Sequence, residues 1–246
     1  MRFYSDFIGQ DDANTTQEFY GGDDKDIYLR NLQSQPPDWY YRDTHITYKY
    51  NSFGHRCKNV QDIDFGNYIL FTGCSHTQGI GLELEKTFPY LLSKELKCDY
   101  YNLGLSASGP DVVHYNLMVW FAKYKLKPKY VFVQWPDHSR FVALHDNFTN
   151  IVPVGSWTQE PKSKKFIVDC ETTGMFAVRK MLYHNMIQDI AGVPVISLQF
   201  SGLQLYNNTS LYLKKKDFAR DRIHSGIESN QEYVKMILTN LKSLNI

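Results

Sequence analysis

Two short segments carry side chains whose types and spacing suit acyl chemistry. Gly73-Cys74-Ser75-His76-Thr77-Gln78-Gly79 sets a serine among small residues at the end of an apolar run, 68–71. That run reads as a buried strand, and open α/β sheets present reactive groups at the carboxyl ends of their strands. A serine hydroxyl is a weak nucleophile unless a base takes its proton, and the base needs an orienting group. Asp221-Arg222-Ile223-His224, near the other end of the chain, supplies both. An aspartate three residues before a histidine folds back in one turn and meets the ring nitrogen facing away from the serine. It fixes the tautomer and stabilises the imidazolium as it forms. Ser75 is therefore the candidate nucleophile, His224 the base and Asp221 its orienter. Each segment alone has an ordinary reading: a strand-to-helix turn for the first, a capping loop with a surface histidine for the second. Together, at the two ends of one α/β pattern, they favour a triad.

The elements between them must bring the two segments together. After the strand at 68–71, Thr87 opens a helix to about residue 97, with Phe88, Leu91, Leu92 and Leu96 on one face. A second strand follows at 100–103. A helix runs from Pro110 to about residue 126, stopped by Pro128, with Val113, Leu117, Trp120, Phe121 and Tyr124 on one face. The third strand, 130–133, is continuously apolar, as expected where both faces are covered. Residues 138–170 break the rhythm with Pro153, Gly155 and Pro161. They read as an insertion of hairpin type over the strand ends, with β-like pieces at 151–154 and 166–168. A helix at 175–191 ends at Gly192, and a fourth strand spans 195–200. Residues 201–223 read as loop or short helix. Ser229 and Glu232 form a capping box for the last helix. Four strand-then-helix units imply a parallel sheet with helices on both faces. Residues 67–246 are thus expected as one domain. Residues 1–66 are expected as an extension packed on it: an irregular acidic arm over 1–30, then a half-buried strand in which Ile46, Tyr48 and Tyr50 alternate with polar residues.

Composition narrows the function classes. The 246 residues are 43% hydrophobic and 22% charged, ordinary for a globular chain. A net charge of +1 makes no electrostatic case for nucleic acid or an anionic membrane, and neither is expected as a partner. The 18 tyrosines suit half-wet surfaces, either a groove for sugars or an arm buried against the core. No apolar run approaches the roughly 18 residues of a membrane span, and the amino terminus lacks a secretory apolar core. A cytoplasmic location is the expectation, or a virion if the gene is phage-borne. The cysteines Cys57, Cys74, Cys98 and Cys170 lack metal-ligand spacing, and no metal or cofactor is expected. Oligomeric state is not set by these features.

The two segments resemble the SGNH/GDSL hydrolase superfamily, whose nucleophile motif is Gly-Asp-Ser-x-x-x-Gly and whose base motif is Asp-x-x-His. Small phage-encoded members look similar, including a cysteine before the serine and an upstream Asn-x-x-Gly-x-Arg, here Asn51-Ser52-Phe53-Gly54-His55-Arg56. The resemblance implies a three-layer α/β/α sandwich with a flavodoxin-like parallel sheet, and an esterase or acetylesterase activity. It carries Ser75, His224 and Asp221 into the nucleophile, base and orienter roles. Cys74 replaces the family's supporting aspartate. As the alternative nucleophile it is disfavoured, since alternate residues on a tight turn point apart and buried cysteines are commonly inert. The family's oxyanion hole uses the nucleophile's N–H, a glycine N–H after strand two and an asparagine after strand three. Here those places fall to Ser75, to Ala107 or Gly109, and to Gln134, unless the third donor is absent. His76 reads as a wall of the site, its adjacency to Ser75 preventing an in-line contact. Trp135, His138 and Arg140 are candidate pocket residues, with surface or core packing as the competing reading.

The expectation is a serine esterase acting on a small-molecule or carbohydrate ester, in particular an O-acetyl group on a sugar. Acyl transfer by the same triad is not separable at this level. The rival is a carbohydrate-binding or structural module that keeps the fold without efficient turnover, motivated by the missing asparagine.

Overall fold

The structure, a computed structural model, describes residues 6–145, 150–200 and 210–244. Its centre is a parallel sheet. Strands β1 (Thr16–Gln17) and β2 (Tyr48–Lys49) form a small antiparallel pair outside it. The main sheet holds β3 (Tyr68–Gly73), β4 (Asp99–Asn102), β5 (Val131–Gln134), β8 (Val195–Gln199) and β9 (Ser210–Tyr212). Their order is β4-β3-β5-β8-β9, all parallel. That order reverses beside β3, which makes its carboxyl end the switch point where such sheets bind ligands. Between β5 and β8, β6 (Phe141–His145) and β7 (Asn150–Val154) form a separate hairpin.

Alternation along β3 explains the two helical layers. Tyr68 and Leu70 face one core, with Val113, Leu117 and Trp120 of α4 (Pro110–Lys123) and Ile187 and Ala191 of α6 (Met175–Ala191). Ile69 and Phe71 face the other, with Phe88 and Leu92 of α3 (Phe88–Glu95) and Val234, Ile237 and Leu241 of α7 (Ile227–Ser243). All six residues of β3 are buried, as a strand covered on both faces must be. The molecule is therefore a three-layer α/β/α sandwich with the strand order of the flavodoxin type.

Several elements differ from the sequence reading. The sheet has a fifth strand, β9, inside the segment read as loop or short helix. Residues 166–168 are not β: they lie in α5 (Pro161–Thr172), where Pro161 opens the helix and the Glu160 carboxylate accepts from the Lys162 and Ser163 N–H groups. Part of the arm read as irregular is α1 (Lys25–Ser34), capped by Asp24. Ile46, Tyr48 and Tyr50 are buried as their alternation requires, although only Tyr48–Lys49 forms ladder bonds. The hairpin in the insertion is present.

The arm packs on the sandwich through its own apolar cluster. Tyr41, Ile46, Tyr48 and Tyr50 meet Ile80, Leu82 and Ala219, residues flanking the two candidate catalytic segments. Phe7 joins the core around Trp120, and Ile8 exchanges two bonds with the Asn116 side chain, at 2.9 and 3.1 Å. Among the described residues, no helix is long and apolar enough to cross a membrane.

Ser229 does not cap α7. The helix begins at Ile227, and the cap comes from a loop ten residues upstream in the chain. Asp217 Oδ2 accepts from Glu228 N at 3.0 Å, and Oδ1 accepts from Ser229 N at 2.8 Å and Ser229 Oγ at 2.6 Å. Glu232 instead pairs with Lys216 at 2.9 Å. Asp217→Ala removes the acceptor for all three donors and is expected to cost about 1–3 kcal/mol. Urea unfolding checks it: the midpoint falls while the slope is unchanged.

Candidate active site

The nucleophile turn is shaped by what Gly73 lacks. A Cβ there would lie 2.2 Å from Thr77 Oγ1 and 2.6 Å from the Gln134 carbonyl, and φ is +156°. No side chain fits, so β3 runs flush against the end of β5 before turning. Cys74 stays extended, and the short helix α2 (Ser75–Gln78) starts at the next residue. Gly79, at φ +80°, closes the helix. Cys74 and Ser75 point apart. The Cys74 thiol is buried under the turn and donates to Gln134 Oε1 at 3.1 Å, an oxygen that also accepts from Thr77 Oγ1 at 3.2 Å.

Ser75 turns the other way, toward His224. Ser75 Oγ lies 2.7 Å from His224 Nε2. His224 Nδ1 bonds Asp221 Oδ2 on its far side. The Asp221 Oδ1 atom accepts from the backbone N–H of Ile223 at 2.9 Å and His224 at 3.0 Å. Arg222 adopts a left-handed φ of 62°, which lets the four-residue segment curl back on itself. Burial alone would push the Asp221 carboxyl up. The bond and charge of His224 and the two backbone N–H groups outweigh it, so its pKa lies below the ordinary carboxylate value. An ionised Asp221 accepts the Nδ1 proton, which leaves Nε2 as the acceptor for the serine hydroxyl. Three residues from opposite ends of the sequence form one hydrogen-bonded line, with Ser75 only 6% exposed and His224 9%.

His76 forms the wall beside this line. Its ring centroid is 4.8 Å from that of His224 and 4.5 Å from that of Phe200. His76 Nδ1 lies 3.2 Å from Ser225 Oγ, which lies 2.9 Å from Tyr233 OH. Burial, then the charges of His224, Lys215 and Arg140, hold its pKa well below the usual histidine value. His76 is a neutral ring at neutral pH. Phe200, Lys215, Ser225 and Tyr233 were not singled out by sequence. Ser225 adjoins the Asp-x-x-His segment, the one local signal that pointed to it.

The loop 104–109 is pinned beside the nucleophile turn. Leu105 N donates to Gly73 O at 3.0 Å, Ser108 Oγ donates to the same oxygen at 2.9 Å, and Asn102 Nδ2 donates to Thr77 O at 2.8 Å. Within it Ala107 sits at a left-handed φ of 60°. At Gly109 a Cβ would lie 2.7 Å from the Arg140 carbonyl, so the insertion passes close over that glycine.

The residues expected after β5 are used differently. Gln134 is buried beneath the turn, with Oε1 toward Cys74 and Thr77 and Nε2 donating to the Trp135 carbonyl at 2.9 Å. Its Nε2 thus donates to its own strand end, where the oxyanion expectation had it facing a substrate. Trp135 is core: it packs with Val131 and Val133, and Nε1 donates to Ser197 Oγ at 3.2 Å. It does not line a pocket. His138 is engaged 3.3 Å from Glu171 of α5. Arg140 stacks over the Trp157 ring at 5.0 Å, and its charge still reaches His76.

Comparison with known proteins adds a fold likeness. No family model and no curated protein matches the sequence. An acetyl xylan esterase from the rumen bacterium Butyrivibrio proteoclasticus is similar at a TM-score of 0.45 and 13% identity, over 76% of this chain and 66% of that one. A family two carbohydrate esterase from Clostridium thermocellum has a TM-score of 0.46 and 10% identity, over 76% and 66%. The structure of TesA has a TM-score of 0.46 and 16% identity, over 72% of this chain and 99% of its own. The chain thus spans about two thirds of the length of the two carbohydrate esterases. Likeness this distant says nothing about substrate, and nothing in it points to a phage origin.

The low pKa of His76 has a consequence for stability. Below about pH 6.5 the unfolded chain takes up a proton at this residue that the folded chain refuses, so stability falls as pH drops. His55, pushed down to about 3 by burial, acts in the same direction. His76→Gln is expected to remove up to about 2 kcal/mol of the stability lost between pH 7 and pH 5. Denaturant unfolding of both proteins at the two pH values checks this.

Proposed function

We propose that the chain is a serine hydrolase cleaving a carboxylic ester. The observation that carries this is the continuous line Ser75 Oγ, His224 Nε2, His224 Nδ1, Asp221 Oδ2 at the switch point of the sheet. Ser75 Oγ attacks the acyl carbon while His224 takes its proton. Asp221 balances the imidazolium charge that results. His224 then returns the proton to the departing alcohol, leaving an acyl-serine. A water molecule, deprotonated by the same imidazole, releases the acid and restores Ser75.

The developing oxyanion needs donors. The Ser75 N–H, at the head of α2, and an N–H of loop 104–109, at Ala107 or Gly109, are proposed for it. Such donors are worth roughly 3 kcal/mol each. With Gln134 committed elsewhere, the site runs on backbone donors alone. The slight exposure of Ser75 and the His76 wall suit a small acyl group, and an O-acetyl ester on a carbohydrate is the proposed substrate. The sugar part rests on the motif resemblance. Tyr20, Tyr48 and Tyr50 give it no support, since Tyr48 and Tyr50 pack at a tilt against Tyr20 within the arm.

A second reading, a binding module with little turnover, is favoured by the placement of Gln134. Hydrolysis of p-nitrophenyl acetate separates the two. The wild type is expected to turn over, with Ser75→Ala slower by at least about a thousandfold. Turnover that survives in Ser75→Ala removes the triad. An inert wild type that binds acetylated sugar supports the second reading, and an acylated acceptor among the products indicates transfer rather than hydrolysis.

A further inference from the structure

The arm does more than cover apolar surface, because it closes a circuit of buried bonds around the two catalytic loops. Asp23 and Tyr48 are fully buried, and Arg220 is 3% exposed. The Tyr48 hydroxyl donates to Asp23 Oδ2 at 2.5 Å and accepts from Gly81 N at 2.7 Å. The Gly81 carbonyl accepts from Arg220 N at 3.1 Å. The Arg220 guanidinium returns to Asp23: Nε reaches Oδ1 at 3.0 Å and Oδ2 at 3.1 Å, and Nη2 reaches Oδ2 at 2.7 Å. Gly81 belongs to the loop that continues from Ser75 and α2. Arg220 immediately precedes Asp221. The circuit therefore contains one backbone link from each half of the candidate triad and two side chains from the arm.

The two loops touch closely where the circuit crosses them. A Cβ on Gly81, at φ +79°, would lie 2.6 Å from Ala219 Cβ and 3.2 Å from Arg220 N. The arm also backs the base directly: a Cβ on Gly22 would sit 3.6 Å from both Asp221 Oδ2 and His224 Cε1. A third arm residue, Arg56, holds the nucleophile loop alone, donating to the Gly79 carbonyl at 2.5 Å and the Leu82 carbonyl at 2.7 Å. Asn31 Nδ2 holds the base loop alone, donating to the Arg220 carbonyl at 2.9 Å. Docking a surface arm needs only an apolar contact, which the Tyr41–Ile46–Tyr50 cluster provides. Burying a charged pair at the same place is costly unless the pair fixes something.

Resting on the esterase reading above, we infer that Tyr48 and Asp23 are positioning residues that set the Ser75–His224 separation, so the arm completes the active site. Neither side chain touches the reacting atoms. Tyr48 fixes the height of the Gly81 loop, Asp23 fixes Arg220, and the shared carboxylate makes the two adjustments one. A displacement on the order of 1 Å at a reacting pair costs about a hundredfold in rate.

Tyr48→Phe tests this with little change of volume, since it deletes only the hydroxyl joining Asp23 to Gly81. With p-nitrophenyl acetate, kcat is expected to fall by about tenfold or more with KM within about twofold, because ground-state binding is untouched. Tyr41→Phe, a buried tyrosine of the same cluster outside the circuit, is the control and is expected to keep kcat. An unchanged kcat in Tyr48→Phe, or an equal loss in Tyr41→Phe, overturns the inference. An inert wild type overturns the esterase reading instead, and crystal structures of wild type and Tyr48→Phe then decide. A Ser75–His224 distance opened beyond about 3.5 Å supports positioning, and an unaltered one overturns it.

Discussion

At the end of β3 the backbone passes so close to β5 that residue 73 has room for a hydrogen and nothing more. The rest of the site depends on that approach. It forces the chain to turn at once, which places Cys74 below and Ser75 above. It brings Gln134 within reach of both Cys74 and Thr77, so the turn is fastened from beneath. It leaves the Gly73 carbonyl as the acceptor that fixes the neighbouring loop through Leu105 and Ser108. Any side chain at residue 73 would disturb the Ser75 turn, its support and the loop of candidate oxyanion donors together.

The base half has a different foundation. Asp221 and His224 hold one another through local bonds, and the left-handed Arg222 between them sets the curl. Local bonds orient the imidazole relative to its carboxylate but do not say where the pair sits relative to Ser75, 149 residues away. Two anchors supply that. The half-buried Asp217 cap ties the loop to α7 on one side. The arm residues Asp23 and Tyr48 tie it to the nucleophile loop on the other. A segment outside the sheet thus takes part in the geometry of the candidate site, while Ser75, Asp221 and His224 follow strands of the sheet.

The sequence made the sandwich readable where periodicity and punctuation agree. β3 is a continuous apolar run, α4 lies between Pro110 and Pro128, and α6 ends on Gly192. The line Ser75–His224–Asp221 of the proposed triad was readable because Asp221 and His224 sit within one turn of chain and Ser75 within one motif. Other features resisted for physical reasons. Helix α1 buries no residue, so it shows no apolar stripe. Strand β9 has only three residues, too few to show a period. The cap of α7 comes from Asp217, not from the Ser229–Glu232 pair that mimics a capping box. Trp135, expected to line a pocket, instead joins Val131 and Val133 in the core, because it continues their inward alternation beyond the end of β5. The Asp23–Arg220 pair, 197 residues apart, leaves no local trace at all.

Gln134 sits between the Ser75 turn and the end of β5 and bonds to both. A side-chain amide reaching the oxyanion would have to release Cys74 and Thr77, whose hydrogen bonds both end on its oxygen. In this chain a thiol stands at residue 74, and it supports the turn by donating to that oxygen. A carboxylate there would accept, and would need a donor in place of the glutamine oxygen. Cys74 and Gln134 are therefore complementary: the thiol donates to the glutamine oxygen beneath the turn, and the glutamine amide donates to the Trp135 carbonyl. The same pairing that fastens the turn engages both ends of the Gln134 amide, which leaves the proposed oxyanion site to backbone N–H groups.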